Sequence, residues 1–186
     1  MIKILSKTDA WKVLNACRAG KKANKAALEY VHLTDKYLES TDGAMLFRSG
    51  RANFGIPSDA PAGVYEVVSA KAGAANFTEI ALEIVPDAQY PNTDQIIPKL
   101  DVLQNTDKIA LEPEKQSITS LSAAVIKLYK YTGNAYSVNL LERLTPMNES
   151  WSLCFTDRDK PAALVLNNRD AQVVAVIMNF KLDLKS

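Results

Sequence analysis

The chain has 186 residues, of which 47% are hydrophobic and 23% are charged, and it holds 22 basic against 21 acidic side chains. This composition excludes a disordered, low-complexity or collagen-like chain, and the length suffices for one domain with a buried core. No apolar run approaches the roughly 20 residues of a membrane span, and Met1–Leu5 lacks the apolar segment of a signal peptide. We therefore expect a cytoplasmic protein without membrane contact.

Residues that carry metal or acid–base chemistry are few. His32 is the single histidine, and Cys17 and Cys154 lie far apart in apolar surroundings, in no C-x-x-C pair. One imidazole cannot supply a zinc ligand set, and the sequence lacks glycine-rich phosphate loops, a nucleophile elbow and an HExxH motif. The expectation is a protein without a cofactor, a metal or a catalytic site.

The amino-terminal half is predicted to contain a strand, a helix and four further strands. The first strand covers residues 1–5, and apolar residues at helical spacing between positions 10 and 17 predict a helix that ends at Gly20. A side chain among residues 6–9 is expected to cap the start of this helix. Asp35-Lys36 joins the first two of the following strands as a hairpin. These strands are expected at residues 27–34, 37–48, 64–68 and 79–85.

The carboxy-terminal half is predicted to contain a loop at residues 86–98, one short helix and three strands. Residues 117–131 fit both a helix and a strand, and the apolar and aromatic residues at their end favour a strand. A helix is expected at 138–144, with strands at 151–155, 162–166 and 173–182. Because the halves order these elements differently, no internal duplication is expected. The predicted fold class is α+β, with two short helices packed on an antiparallel sheet.

Charge is distributed unevenly along the chain. Residues 1–25 contain seven lysines and arginines against one aspartate, whereas residues 83–115 contain seven acidic against three basic side chains. A basic surface on an otherwise acidic protein indicates an anionic partner that is met on one side.

Three separated segments carry motifs of one protein family. Their sequences are S-T-D-G-A-M-L at Ser40–Leu46, Q-Y-P-N-T-D-Q-I-I-P at Gln89–Pro98, and V-A-V-I-M-N-F-K-L at Val174–Leu182. They resemble, in the same order, the A-T-D-G-H-R-L, F-P-D-Y-x-x-[VI]-[IL]-P and V-M-P-M-R-L motifs of bacterial sliding clamps, the β subunits of DNA polymerase III. Ala44, Met45 and Asn179 depart from the family pattern.

The resemblance implies a single DNA-clamp-like domain over residues 1–186. Clamp subunits have three such domains in one chain, and residues 53–133 are longer here than the corresponding region. In the family the tyrosine–proline segment follows the final strands of a domain, whereas here it precedes the second predicted helix. An inserted subdomain at about residues 53–133 is therefore expected.

The resemblance also implies two binding surfaces. Helices of the family line a central hole, so the first helix would contact duplex DNA through phosphates, without reading the bases. The candidate DNA contacts are Lys12, Arg18, Lys21, Lys22 and Lys25. The family's second surface is an apolar cleft for short peptides of polymerases and other replication proteins, and it implies here the residues Thr41, Asp42, Gly43, Leu46, Met178, Phe180 and Leu182.

Three functions remain open from the sequence. The first is a non-catalytic, sliding-clamp-like processivity or tethering protein, and the second is a clamp-derived adaptor that binds proteins but no DNA. The third is a small hydrolase or ligand-binding protein with Asp42 and Asp94 as candidate acids. A one-domain chain would encircle DNA only as a homo-oligomer of six copies, and a monomer or dimer without encirclement is the alternative.

Overall fold

A computed structural model describes residues 1–20, 26–97, 106–111, 118–154, 162–168 and 171–178. The described residues form ten β-strands and three α-helices. The strands are β1 (Ile2–Lys7), β2 (Val31–Leu33), β3 (Tyr37–Thr41), β4 (Met45–Gly50), β5 (Gly63–Ala72), β6 (Phe77–Ile84), β7 (Thr106–Leu111), β8 (Glu149–Cys154), β9 (Ala162–Asn168) and β10 (Ala171–Ile177). The helices are α1 (Thr8–Ala16), α2 (Ile118–Thr132) and α3 (Val138–Glu142).

One antiparallel sheet contains all ten strands, in the order β1-β6-β5-β2-β3-β4-β10-β9-β8-β7. Read inward from either end, the sheet repeats one pattern. At each end, an edge strand is followed in the sequence by a helix (β1 by α1, and β7 by α2). Three sequential strands come later in the chain and lie further inward in the sheet (β2 to β4, and β8 to β10). We call β1–β6 with α1 the first unit, and β7–β10 with α2 and α3 the second unit. Among the described residues, only the first unit carries an additional hairpin, β5–β6, between its outermost strand and β2.

This duplicated topology corrects the expectation of no internal duplication. The units meet at the pairing of β4 with β10, where Leu46 lies opposite Val176. The additional hairpin hides the repeat in the sequence because it places two further strands between the matching elements. The prediction of two short helices is also incorrect, since the described part has three and α2 is 15 residues long.

The sheet has an inner face, covered by α1 and α2, and an outer face. Alternation along β4 assigns its side chains, because Met45 and Phe47 join the main core while Leu46 faces the opposite side. The main core is continuous across both units, since Leu14 of α1 and Leu128 of α2 belong to the same buried cluster. The core contains fully buried rings of large aromatic residues from both units.

Helix α1 is confirmed by its buried apolar stripe, but its ends differ from the prediction. The helix begins after Lys7, which in the described part makes no side-chain cap, and the N–H of Thr8 donates to the carbonyl oxygen of Asn76 (2.8 Å). It ends at Ala16, four residues before Gly20. Tertiary contact with the β5–β6 turn thus replaces the predicted local cap.

Three further predictions need correction. The predicted strand 37–48 is two strands, because a turn at residues 42–44 separates β3 from β4. The ambiguous stretch 117–131 is helical to its end, since Leu121, Ala124 and Leu128 are buried at helical spacing and outweigh the local strand preference. Strand β7 was not predicted at all.

A segment that we call the connector (residues 85–97) lies on the outer face of the sheet. It follows β6 and includes a single 3₁₀ turn at Thr93–Gln95, in agreement with the predicted loop. Of the predicted insertion 53–133, the described parts form β5, β6, β7 and α2 of the common sheet and helix layer. An inserted subdomain is therefore not confirmed. No helix in the described ranges is both long and apolar enough to span a membrane.

Candidate partner-binding groove and nucleic-acid face

The turn between β3 and β4 is built by Asp42 and Gly43. Asp42 Oδ1 accepts hydrogen bonds from the backbone N–H groups of Ala44 (2.8 Å) and Met45 (2.9 Å). Gly43 has a φ of 88°, a left-handed conformation that residues with a Cβ atom adopt at a cost. These two residues therefore shape the end of the β3–β4 hairpin.

An ion pair connects this turn to the second unit. Arg143, which follows α3, donates from Nη1 to Asp42 Oδ2 at 2.6 Å. Burial alone would raise the pKa of Asp42, but the Arg143 hydrogen bond and the two backbone N–H groups outweigh burial and lower it. Asp42 Oδ1 thus holds the turn and Oδ2 binds the second unit, so both oxygens of this residue make structural contacts.

Strand β10 brings the closing segment of the chain beside the same turn. The N–H of Met178 donates to the carbonyl oxygen of Ala44 (3.0 Å), one residue beyond the last ladder pair of β10 with β4. A cavity of about 30 Å³ lies at this junction, and we call it the groove. Its lining residues are Thr41, Gly43, Met45, Leu46, Ile96, Val176 and Met178.

Four residues of the predicted cleft are brought together in the groove, namely Thr41, Gly43, Leu46 and Met178. Asp42 supports the turn from outside the lining. The predicted cleft residues Phe180 and Leu182 lie outside the described residues.

Sequence reasoning missed the contributions of Met45, Val176 and Ile96 to the groove. Ile96 comes from the connector and packs on an apolar outer-face cluster. The cluster consists of Leu46, Ala163, Val165, Val174 and Val176. The signal that could have identified Ile96 is the apolar pair Ile96-Ile97 inside a stretch otherwise expected to be a polar loop.

Two of the five predicted DNA contacts, Lys12 and Arg18, lie within the described residues. Lys12 is exposed on α1, opposite the buried stripe of this helix. Arg18 is half-buried, and burial lowers the pKa of its guanidinium while the nearby charges of Glu29 and Glu66 act in the opposite direction. Arg18 therefore faces acidic side chains of its own chain.

The remaining candidate DNA contacts, Lys21, Lys22 and Lys25, lie outside the described residues. Lys3 belongs to the same basic stretch, yet it alternates with the core residue Ile4 and lies on the outer face. The described lysines Lys3 and Lys12 therefore lie on opposite sides of the sheet.

Comparison with solved structures assigns the architecture. A Helicobacter pylori β clamp in complex with diflunisal superposes with a TM-score of 0.57 and 13% identity, covering 97% of this chain and 66% of that one. The β subunit of DNA polymerase III from Borrelia burgdorferi has a TM-score of 0.54 and 14% identity, covering 98% and 63%. A sliding clamp from Bartonella birtlesii bound to griselimycin has a TM-score of 0.54 and 11% identity, covering 97% and 66%. The fold is clamp-like.

At this identity the clamp likeness concerns the fold alone, and the chain spans slightly less than two thirds of the length of these clamps. No protein-family model and no curated protein sequence matches the chain. In the clamp-like fold, the tyrosine–proline segment follows β6, the last strand of the first unit.

Proposed function

We propose that the chain is a non-catalytic, sliding-clamp-like tethering protein whose groove holds a short apolar peptide from a replication protein. The observation that carries this proposal is the junction of β4 and β10, where Leu46 and Met178 meet beside the β3–β4 turn. In clamps the two corresponding segments come from adjacent domains. Here one chain supplies both walls, so the groove needs no second copy.

The chemistry of the groove suits an apolar ligand. Its walls are mainly aliphatic, and Met178, whose flexible thioether adapts to differently shaped partners, is 38% exposed at the rim. The hydrogen-bonded turn at Asp42 gives this wall a preformed shape, which reduces the ordering cost of binding. We therefore expect leucine and phenylalanine side chains of an extended peptide to be preferred.

The test is a fluorescence-polarisation titration with a dye-labelled pentapeptide that contains two leucines and one phenylalanine. Met178→Glu, which introduces a charge at the groove, is expected to weaken binding by at least tenfold, because the carboxylate would lose water without a partner. Ile126→Glu is the matched control, since Ile126 is an exposed aliphatic residue on α2, away from the groove. Griselimycin, the ligand of the Bartonella clamp, serves as a competitor. Equal binding by both variants would contradict the proposed groove.

Contact with duplex DNA is a second part of the proposal, and the exposed Lys12 on α1 favours it. Lys21, Lys22 and Lys25 follow in the sequence and add positive charge to the same end of the chain. Such lysines would hold phosphates loosely and without base reading, as a sliding protein requires.

The DNA test is a salt titration of the triple variant Lys12→Glu, Lys21→Glu, Lys22→Glu on a short duplex. We expect weaker binding and a salt dependence reduced by about one unit per lost phosphate contact. Lys36→Glu, an exposed lysine in the β2–β3 turn, is the matched charge control. Unchanged DNA affinity of the triple variant would favour the alternative, an adaptor that binds proteins but no DNA.

Assembly into a homo-oligomer is the third part of the proposal. Among the described strands, β1 and β7 each have a neighbour on one side only, and such edges can pair with another chain. The molar mass in solution, measured with and without duplex DNA, tests this part. A strictly monomeric species under both conditions would contradict it.

A further inference from the structure

A row of polar side chains crosses the outer face of the first unit beneath the connector. His32, Glu39 and Arg48 lie directly opposite one another on β2, β3 and β4. The side chain of Glu39 is fully buried, and burying a carboxylate is costly unless each oxygen is paired. Its Oε1 lies 2.7 Å from His32 Nδ1, and its Oε2 accepts from Arg48 Nε at 2.7 Å.

The connector supplies the remaining partners of this row. Thr93 Oγ1 donates to Glu39 Oε1 (2.8 Å) and accepts from Arg48 Nη2 (2.8 Å). Arg48 Nη1 also pairs with Asp94 Oδ1 at 2.7 Å. Burial alone would lower the pKa of Arg48, but the neighbouring carboxylates outweigh burial and raise it. We call Glu39, Arg48, Thr93 and Asp94 the polar anchor, because it ties the connector to β3 and β4.

One aromatic contact completes the attachment of the connector, and a second lies within the sheet, between β3 and β4. The ring of Tyr90 in the connector stacks on His32, with ring centroids 4.9 Å apart. The guanidinium carbon of Arg48 lies 4.1 Å from the centroid of the Tyr37 ring. The connector therefore crosses β2, β3 and β4 in turn, held by a side-chain contact at each strand.

The polar anchor lies one turn before the groove wall. The N–H groups of Ile96 (3.0 Å) and Ile97 (3.2 Å) both donate to the carbonyl oxygen of Thr93. Ile96 then packs on the apolar outer-face cluster and lines the groove. The hydroxyl of Thr93 is thus bound to the sheet while its carbonyl fixes the backbone that carries Ile96.

We propose that Glu39, Arg48 and Thr93 are positioning residues that hold Ile96 in place as one wall of the groove. They touch no groove ligand themselves, and they act through the 3₁₀ turn at Thr93–Gln95. The effect on ligand affinity rests on the proposed function, whereas the placement of Ile96 does not. A buried ion pair is seldom an efficient source of stability compared with apolar packing, so positioning accounts better for this network.

Two readouts separate positioning from a purely structural role. The first is the rate at which a thiol reagent labels an Ile96→Cys side chain, in a Cys154→Ser background at pH 8. Cys17 stays unreactive there, because it is buried and burial raises the pKa of its thiol to about 12. The second is the affinity for the labelled pentapeptide, measured with Ile96 present.

Thr93→Val removes the hydroxyl at nearly constant volume, and Thr93→Ser retains it. We expect Thr93→Val to raise the labelling rate of Ile96→Cys about tenfold and to weaken peptide binding by a similar factor, because two hydrogen bonds to charged groups are lost. Thr93→Ser should preserve both values. Gln95→Ala, an exposed position in the same turn, is the matched control and should change neither.

Every outcome bears on the proposal. If Thr93→Val is labelled at the parent rate, the proposal is wrong. It is also wrong if Thr93→Ser changes the labelling rate as much as Thr93→Val does. If the unaltered chain binds no peptide, the proposed function fails, but the labelling arm still decides whether the polar anchor positions Ile96. Should Thr93→Val fail to fold, Arg48→Lys replaces it, because lysine keeps the positive charge beside Glu39 but lacks the planar guanidinium that donates to Glu39 and Thr93 together. An unchanged labelling rate in that variant would equally overturn the proposal.

Discussion

The two units build the same topology with different surfaces. The outward side of α1 carries Lys12, whereas that of α2 carries Ile126, 67% exposed, and Tyr129, 50% exposed. On the outer face, the first unit presents the polar anchor and the second presents the apolar side chains of β9 and β10. The two units therefore share a topology and differ in their surfaces, and the groove is lined by residues from both units and from the connector.

The largest expected effect concerns whether the units fold together. Leu14→Ala in α1 and Leu128→Ala in α2 each delete a fully buried side chain, which we expect to cost about 2–5 kcal/mol of unfolding free energy. Because the main core is shared, both variants should unfold in one transition. Trp11 and Trp151, buried in different units, report each unit separately in urea titrations of Trp→Phe variants. Different midpoints for the two tryptophans would show that the units are independent.

A second effect is confined to the first unit. Gly55 has a φ of 60°, and a Cβ atom there would lie 2.7 Å from the carbonyl oxygen of Leu5 in β1. Gly55→Ala should therefore cost about 1–3 kcal/mol. Gly20→Ala is the matched control, because a Cβ atom at Gly20 meets no atom within 4 Å among the described residues. Thermal melts of both variants provide the measurement, and equal melting temperatures would refute the close approach.

A third effect tests the ion pair that joins the units. Asp42→Asn weakens the hydrogen bond from Arg143 and should cost about 1–2 kcal/mol at pH 7. The folded-state pKa of Asp42 is lowered, so its contribution is complete above the unfolded-state pKa, near 4, and is lost as the pH falls through the folded-state pKa. The stability difference between the two proteins in urea should therefore shrink at pH 3. A difference that is constant with pH would argue against the pairing.

The smallest effect asks whether both helices face the same DNA. Ile126→Lys adds a positive charge to the exposed side of α2, the helix that follows β7 as α1 follows β1. Stability should change by less than about 0.5 kcal/mol, since the side chain is exposed. Affinity for duplex DNA at low salt should rise about twofold to threefold. If Ile126→Lys leaves the affinity for duplex DNA unchanged while Lys12→Glu lowers it, the proposed DNA contact would be limited to the first unit.

Local patterns predicted several elements close to their observed positions. These are α1 from its apolar stripe, α3 from its apolar face, β8 from its alternation, and β9 and β10 from their apolar runs. In contrast, α2 contains valine, isoleucine and tyrosine residues that favour strands in isolation, and packing of Leu121 and Leu128 decides its structure. Sequence periodicity cannot supply this tertiary contribution.

The groove was only partly predictable for a related reason. The turn residues Asp42 and Gly43 carry a local signal, and Met178 was implied by the resemblance. Arg143 reaches the site from a segment distant in the sequence, and no local pattern indicates its contact with Asp42. Ile96 is equally distant, and the only local signal for it is the apolar pair Ile96-Ile97 in an expected loop. Glu39 and Arg48 were overlooked although they are charged residues inside apolar strands, which is a recognisable sign of buried pairing.

The pairing of β4 with β10 also determines when the groove is completed during synthesis of the chain. These strands are separated by more than a hundred residues, so their contact is among the most non-local in the chain. A ribosome-bound intermediate that has released only β1 to β6 holds half of the groove and exposes the edge of β4 to the solvent. Any binding in the proposed groove would consequently require that translation has passed Met178, and until then the edge of β4 stays open to pairing with other chains.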